Sequence, residues 1–202
     1  MESITDKVLR TIRGHGLGWV FCPANFAIIG SRSAVESALR RLKKEGIIRS
    51  IAHGLYDYPR KDPELGILAP SLDRIVEALE TRDAVRLQPS GAYAANLLGL
   101  TNQVPMKLVF LTDGPMRKLQ VGKRTIQLKH TSPKNMVTAG RISGTVFQAL
   151  RWLGKNNVDD DVIAALSDRL TSKEKAQLFL DINYASIWIA QVVRTITGER
   201  VS

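Results

Sequence analysis

Between Ser31 and Lys44 the chain strings together hydroxyls and cations: Ser31, Arg32, Ser33, Ser37, Arg40, Arg41, Lys43 and Lys44. Their common chemistry is hydrogen-bond donation and positive charge. Serine hydroxyls and arginine forks can address base edges, while the cations further along suit phosphate oxygens. Arg49 and His53 extend the set a few residues on. A phosphoryl-transfer site would need something else. Gly30-Ser31 could mimic the Gly-Ser of a nucleotidyltransferase, but that chemistry also needs paired carboxylates about ten residues later to hold metal ions. The chain reads Arg40-Arg41-Leu42-Lys43-Lys44 there, and cations do not ligate a cation. The readings for this segment are a solvated basic helix face or a DNA-reading one.

A second cationic group lies further on: Lys107, Arg117, Lys118, Lys123, Arg124 and Lys129, followed by Lys134, in a stretch whose only acid is Asp113. Lysines guarding exposed strand edges would account for it. So would a second nucleic-acid surface or a docking face for an acidic partner. The residue types leave these open.

Other chemistries lack their residues. His15, His53 and His130 are far apart and form no His-x-x-x-His pattern, and the single Cys22 excludes both an intramolecular disulfide and a cysteine-based zinc site. Cys22 follows Trp19, Val20 and Phe21, so it reads as a small buried hydrophobe. Asp159-Asp160-Asp161 stands where a helix should begin, and there negative charge is favoured by the helix dipole. Gly14-x-Gly16-x-Gly18 has no strand before it and reads as a turn. No catalytic residue, metal or cofactor is expected.

The charge pattern favours a polyanionic partner. The formal net charge is +10 with a pI near 10.0. It is carried by two blocks, +5 over residues 1–60 and +9 over 101–155, separated and followed by blocks of −2. Binding built on such charge weakens steeply with salt. A hydrophobic fraction of 44% supports real cores. No signal-peptide pattern and no apolar run of about 20 residues is present, so a soluble cytoplasmic protein without membrane partners is expected.

The elements that must position these residues follow from periodicity. Val35, Ala38, Leu39 and Leu42 recur at i, i+3, i+4, i+7 and predict a helix with one buried stripe, Ser33 and Glu36 as a capping box and Gly46 as its stop. Ile4, Val8, Leu9 and Ile12 mark a helix before it; Pro23 to Ile28 is a short apolar segment with proline near a helix start; Ile29-Gly30-Ser31 is a turn with glycine available for positive φ. Ile47–Ile51 and Leu55–Tyr58 are β-prone runs joined by Ala52-His53-Gly54. This is the order of a winged helix-turn-helix over residues 1–58, with double-stranded operator DNA as its partner. Prolines make residues 59–70 a linker or an ordered strap. Residues 71–202 then predict helices at 71–79 and 90–98, strands at 107–111, 117–121 and 125–129, and C-terminal helices with stripes Ile142, Val146, Ala149, Leu150, Leu153 and Val162, Ile163, Leu166, Leu170. Thr171 with Glu174 is a further capping box. The fold class is α+β: an N-terminal winged helix-turn-helix, then a mixed α/β domain ending in helices.

One string carries a resemblance. Gln88-Pro89-Ser90-Gly91-Ala92-Tyr93-Ala94-Ala95-Asn96-Leu97-Leu98-Gly99-Leu100-Thr101-Asn102-Gln103-Val104-Pro105, with Leu111-Thr112-Asp113-Gly114 after it, resembles the AbiEi-like antitoxin family of abortive-infection systems. The resemblance implies a winged helix that represses its own promoter and a C-terminal domain that counteracts a cognate nucleotidyltransferase-type toxin from the same operon. Here Lys107, Arg117, Lys118, Lys123, Arg124 and Lys129 would be the candidate neutralising surface. The alternative is a stand-alone winged-helix regulator whose second domain senses a ligand or makes dimers.

Overall fold

In a computed structural model the described residues are 2–103 and 105–198, and they form two compact units. The first is Met1–Val85 together with Gln120–Gly122; the second is Arg86–Leu119 with Lys123–Ser202. Helices dominate and the sheets are small, which makes the fold α+β as predicted.

The first unit opens with α1 (Ile4–His15), started by a reciprocal cap: Asp6 N–H donates to Ser3 Oγ, and Ser3 N–H to Asp6 Oδ2, both at 3.2 Å. After β1 (Val20–Phe21) comes a 3-10 turn, Pro23–Phe26, with proline in its first position where no amide is needed. Helix α2 (Arg32–Lys44) follows, then the hairpin of β2 (Arg49–Ala52) and β3 (Leu55–Asp57). The strands lie in the order β1-β3-β2, all antiparallel. Val8 and Ile12 of α1 and the α2 stripe close on Trp19, Phe21 and Phe26. Phe21 and Phe26 meet edge to face with centroids 5.5 Å apart, a favoured aromatic geometry. Cys22 is fully buried, as its apolar neighbours predict.

Four expectations change here. The cap of α2 is Ser31, whose Oγ accepts from Ala34 N–H at 3.4 Å; Ser33 lies inside the helix, and Glu36 accepts instead from Arg32 Nε at 2.9 Å. Extended φ and ψ at Ser31 let its hydroxyl reach the free amides first. Gly30 has no positive φ. Its role is closeness: a Cβ there would stand 2.8 Å from Ile4 Cδ1. Residues 59–70 are not a linker between the units. They carry a small hairpin, β4 (Lys61–Asp62) with β5 (Gly66–Ile67), whose turn is tied by Asp62 Oδ1 accepting the amides of Glu64 and Leu65, each at 2.9 Å. Helix α3 (Leu72–Asp83), predicted for the second domain, packs on β1, β3 and the 3-10 turn with Ile75, Ala78 and Leu79 buried. Its apolar face packs within the first unit, which therefore runs to Val85 and does not end at Tyr58.

A four-stranded sheet holds β6 (Leu87–Ser90), β7 (Lys107–Thr112), β9 (Arg124–His130) and β8 (Arg117–Val121), in that order, and all of it except Gln120 and Val121 of β8 belongs to the second unit. β6 pairs antiparallel with β7, whereas β7 and β9 run parallel, with Lys107 opposite Thr125 and Leu111 opposite Lys129. Pro89 fits because β6 is an edge strand. Helix α4 (Gly91–Leu97) lays Tyr93 on Phe110 at 5.4 Å, and α5 (Pro133–Met136) leads into α6 (Ile142–Leu153). The stripe of α6 packs with α7 (Asp160–Arg169), α8 (Ser172–Leu180) and α9 (Ile187–Thr197) around Leu150, Leu166, Leu178 and Val193. Asp159 caps α7 through Val162 N–H at 3.0 Å, and the Thr171–Glu174 box starts α8, so both acidic starts serve their helices.

Candidate nucleic-acid interface

At 100° per residue, burial of Val35, Ala38, Leu39 and Leu42 leaves one line of α2 pointing directly away from the core: Ser33, Ser37, Arg40 and Lys44. All four are exposed, and Arg41 borders the line. Arg40, Arg41, Lys43 and Lys44 have no carboxylate partner among the described residues. Three of them, Arg41, Lys43 and Lys44, stand in the last turn, where they also offset the negative end of the helix dipole. Arg32 is on the flank. Its side chain is 88% exposed, yet its Nε is engaged by Glu36 at 2.9 Å in an i,i+4 pair that solvent largely screens. Ser31 and Ser33 sit with their hydroxyls 3.2 Å apart at the N-terminal end of the line. The result is a graded surface, hydroxyls first and cations after, on a helix whose other side is fixed in the core.

The hairpin is less available than its residue types predict. Arg49 does not face outward: its Nε and Nη2 fork onto the two oxygens of Asp57 at 2.8 and 2.6 Å, and Nη2 also donates to the carbonyl of Leu68 at 2.8 Å. Asp57 is 1% exposed, and the pair holds the Arg49 guanidinium above its ordinary pKa. The register that sets residue 49 opposite 57 makes the ion pair, so Arg49 fastens the hairpin. His53 is exposed at the tip, but its carbonyl accepts from Arg82 Nη1 of α3 at 2.7 Å. Gly54 has the positive φ expected of it, +67°. A bulge between Ser50 and Ala52 turns the tip, so the hairpin is short and clasped. Arg82 and Asp57 were invisible as partners because each acts across the fold.

The other cationic group is exposed throughout, at Lys107, Arg117, Lys118, Lys123, Arg124 and Lys129, but the strands do not gather it onto one face. Lys107 shares a face with Thr125 and hence with Lys129, whereas Arg124 alternates with Ile126 and Leu128 on the opposite face. Arg117 and Lys118 are neighbours on the edge strand β8, and Lys123 follows Gly122 in the turn. Asp113, the acid among them, accepts the amide and Nε of Arg86, each at 2.9 Å, and the amide bond above all lowers its pKa. In the same unit Asp181 is 4% exposed in its side chain and accepts from Arg141 Nη1 at 2.7 Å, Gln177 Nε2 at 3.0 Å and Ser143 Oγ. That carboxylate is saturated with donors and ties the start of α6 to the end of α8. No group of three or more His, Cys, Asp or Glu that could hold a metal ion occurs among the described residues, and none of their helices is long and apolar enough to cross a membrane.

Residues 7–178 match a protein family described as a family of unknown function, DUF6088. The chain belongs to that family. The DUF6088 match spans both units, taking in the outward line of α2, the clasped hairpin and the whole four-stranded sheet, and stops before α9. No curated protein matches the chain.

Proposed function

We propose that this chain binds double-stranded DNA, with the first unit as a winged helix-turn-helix, α2 as its recognition helix and the β2–β3 hairpin as a short wing. The observation that carries the reading is the outward line of α2, where Ser33 and Ser37 precede Arg40 and Lys44 on the side opposite a fully buried stripe. Hydroxyls toward the helix N-terminus match the depth of a major groove, and cations further along match the phosphates at its wall. The net charge of +10 supports a polyanionic partner in the same sense.

The resemblance of Gln88–Pro105 to AbiEi-like antitoxins extends the proposal: a cytoplasmic, non-catalytic autorepressor of a toxin–antitoxin operon, whose second unit counteracts a nucleotidyltransferase-type toxin. The test has two arms. Fluorescence anisotropy of the full chain with a duplex from upstream of its own gene should show preference over an unrelated duplex and an affinity that falls with salt. Equal affinity for both duplexes removes the repressor reading. Co-expression with the adjacent gene, where that gene encodes a Gly-Ser and paired-Asp nucleotidyltransferase, should restore growth; growth arrest despite a soluble, expressed chain removes the antitoxin reading.

A further inference from the structure

Ile28 is 98% exposed, the most exposed of the large apolar side chains among the described residues. It does not dangle. Phe26 is fully buried on one side and Ile29 packs on the same core on the other, with Ile29 N–H donating to the Phe26 carbonyl at 2.9 Å. Gly30 then lies so close to Ile4 that a Cβ would come within 2.8 Å of its Cδ1. The loop is therefore held from both ends and turns Ile28 outward. A β-branched apolar residue in that position adds nothing to the core, and an alanine or serine would satisfy the turn equally.

Its position gives the side chain a use. Ser31, the cap of α2, lies three positions on, so their Cα atoms are at most about 11 Å apart, which keeps Ile28 near the N-terminal end of α2. The surroundings do not suit a protein interface, whose centre is a broad apolar patch poor in charge. Ala27, Ser31, Arg32 and Ser33 are small, polar or cationic, and further down the helix come Glu36, paired with Arg32, and the exposed cations Arg40, Arg41, Lys43 and Lys44. Among the groups that a polyanion displays on its base edges, one is apolar: the 5-methyl of thymine in the major groove. We infer that Ile28 is a specificity-determining contact that packs on a thymine methyl group at the edge of the α2 footprint. The inference rests on the DNA-binding reading and adds to it a residue and a base.

The experiment is a coupling cycle with the full chain. Wild type and Ile28→Ala are titrated with the duplex from upstream of the chain's own gene and with the same duplex carrying deoxyuridine for thymidine, with Ile28→Ser as a second variant. Burying one methyl corresponds to about a fourfold change in Kd. Wild type should lose at least that factor on the uracil duplex, both variants should lose it on the thymine duplex, and the variants should lose markedly less than wild type when thymine becomes uracil. Losses that multiply independently overturn the methyl contact, as does unchanged affinity in the variants. Either result leaves DNA binding by wild type intact, whereas failure of wild type to bind either duplex overturns the DNA reading itself. Folding does not confound the cycle, since the side chain is outside the core and thermal unfolding of the variants should match wild type.

Discussion

Arg49 and Asp57 stand opposite one another in β2 and β3, joined by two hydrogen bonds of 2.8 and 2.6 Å, with the carboxylate buried and the guanidinium one-third exposed. The same guanidinium reaches the carbonyl of Leu68, so one cation fastens the hairpin and the strap after it. Removing it would leave a buried carboxylate with no counter-charge. Arg49→Ala should destabilise the first unit by about 2–3 kcal/mol, somewhat below the range for a wholly buried pair because solvent reaches Arg49. Denaturant unfolding measures that loss, and DNA affinity at a temperature where the variant is folded should be close to wild type. A stable variant with weakened DNA binding would restore Arg49 to the interface.

On α2 the expected effects separate by position. Lys44→Ala and Arg40→Ala should weaken every duplex alike and lower the slope of log affinity against log salt by about 1 each. Glu36→Gln should act in the opposite direction. It removes a negative charge from the flank and releases Arg32, at little cost in helix stability because the pair is exposed to solvent. Anisotropy titrations at a series of salt concentrations distinguish the two, and unchanged slopes for both cation variants would dismiss α2 as the DNA-facing helix.

A fragment of residues 1–85 should unfold cooperatively and bind DNA, whereas one of residues 1–58 should be markedly less stable. The shorter piece loses α3, and with it Ile75, Ala78 and Leu79, the clasp from Arg82 to the His53 carbonyl and the Leu68 acceptor of Arg49. Circular dichroism melts of the two fragments decide the matter; equal midpoints would mean α3 contributes nothing to the first core.

Acid should act on the second unit through Asp113 and Glu174. Backbone hydrogen bonds, from Arg86 to Asp113 and from Thr171 to Glu174, lower both pKa values in the folded chain from ordinary values of 3.8 and 4.5. Their stabilisation is therefore complete above those ordinary values and is lost as the pH falls below them through the folded pKa. The midpoint of thermal unfolding should stay level down to the upper carboxylate range and drop below it, with a shallower drop in Asp113→Asn. An identical acid profile in that variant would show that Asp113 is not coupled to folding.

What the sequence made legible was local. The α2 stripe, the Thr171 cap and the glycine tip of the hairpin each depend on residues within a turn or two of one another, where period and cap chemistry act directly. The pairing of Arg49 with Asp57 depends on strand register, and the clasp from Arg82 to His53 joins residues 29 apart in sequence, so neither has a local signature. Ile28 misleads in the other direction. It closes the apolar segment Pro23 to Ile28, and only the direction of the turn puts it in solvent. The cations of the second unit spread over two faces for a similar reason: spacing along the chain cannot tell which strand lies beside which, and here β9 pairs with β7 as well as with β8.

The parallel pairing of β7 with β9 also sets an order for synthesis on the ribosome. Lys107 must wait for Thr125, eighteen residues later, and Thr112 for His130, while the hairpin of β2 and β3 closes within a handful of residues. Contacts of long sequence separation form slowly because the loop between them must first be closed. Most of the first unit can thus settle as soon as Val85 emerges, whereas the sheet of the second remains open until β9 is made. During that interval the chain already presents its α2 face to solution, before the rest of the molecule has assembled.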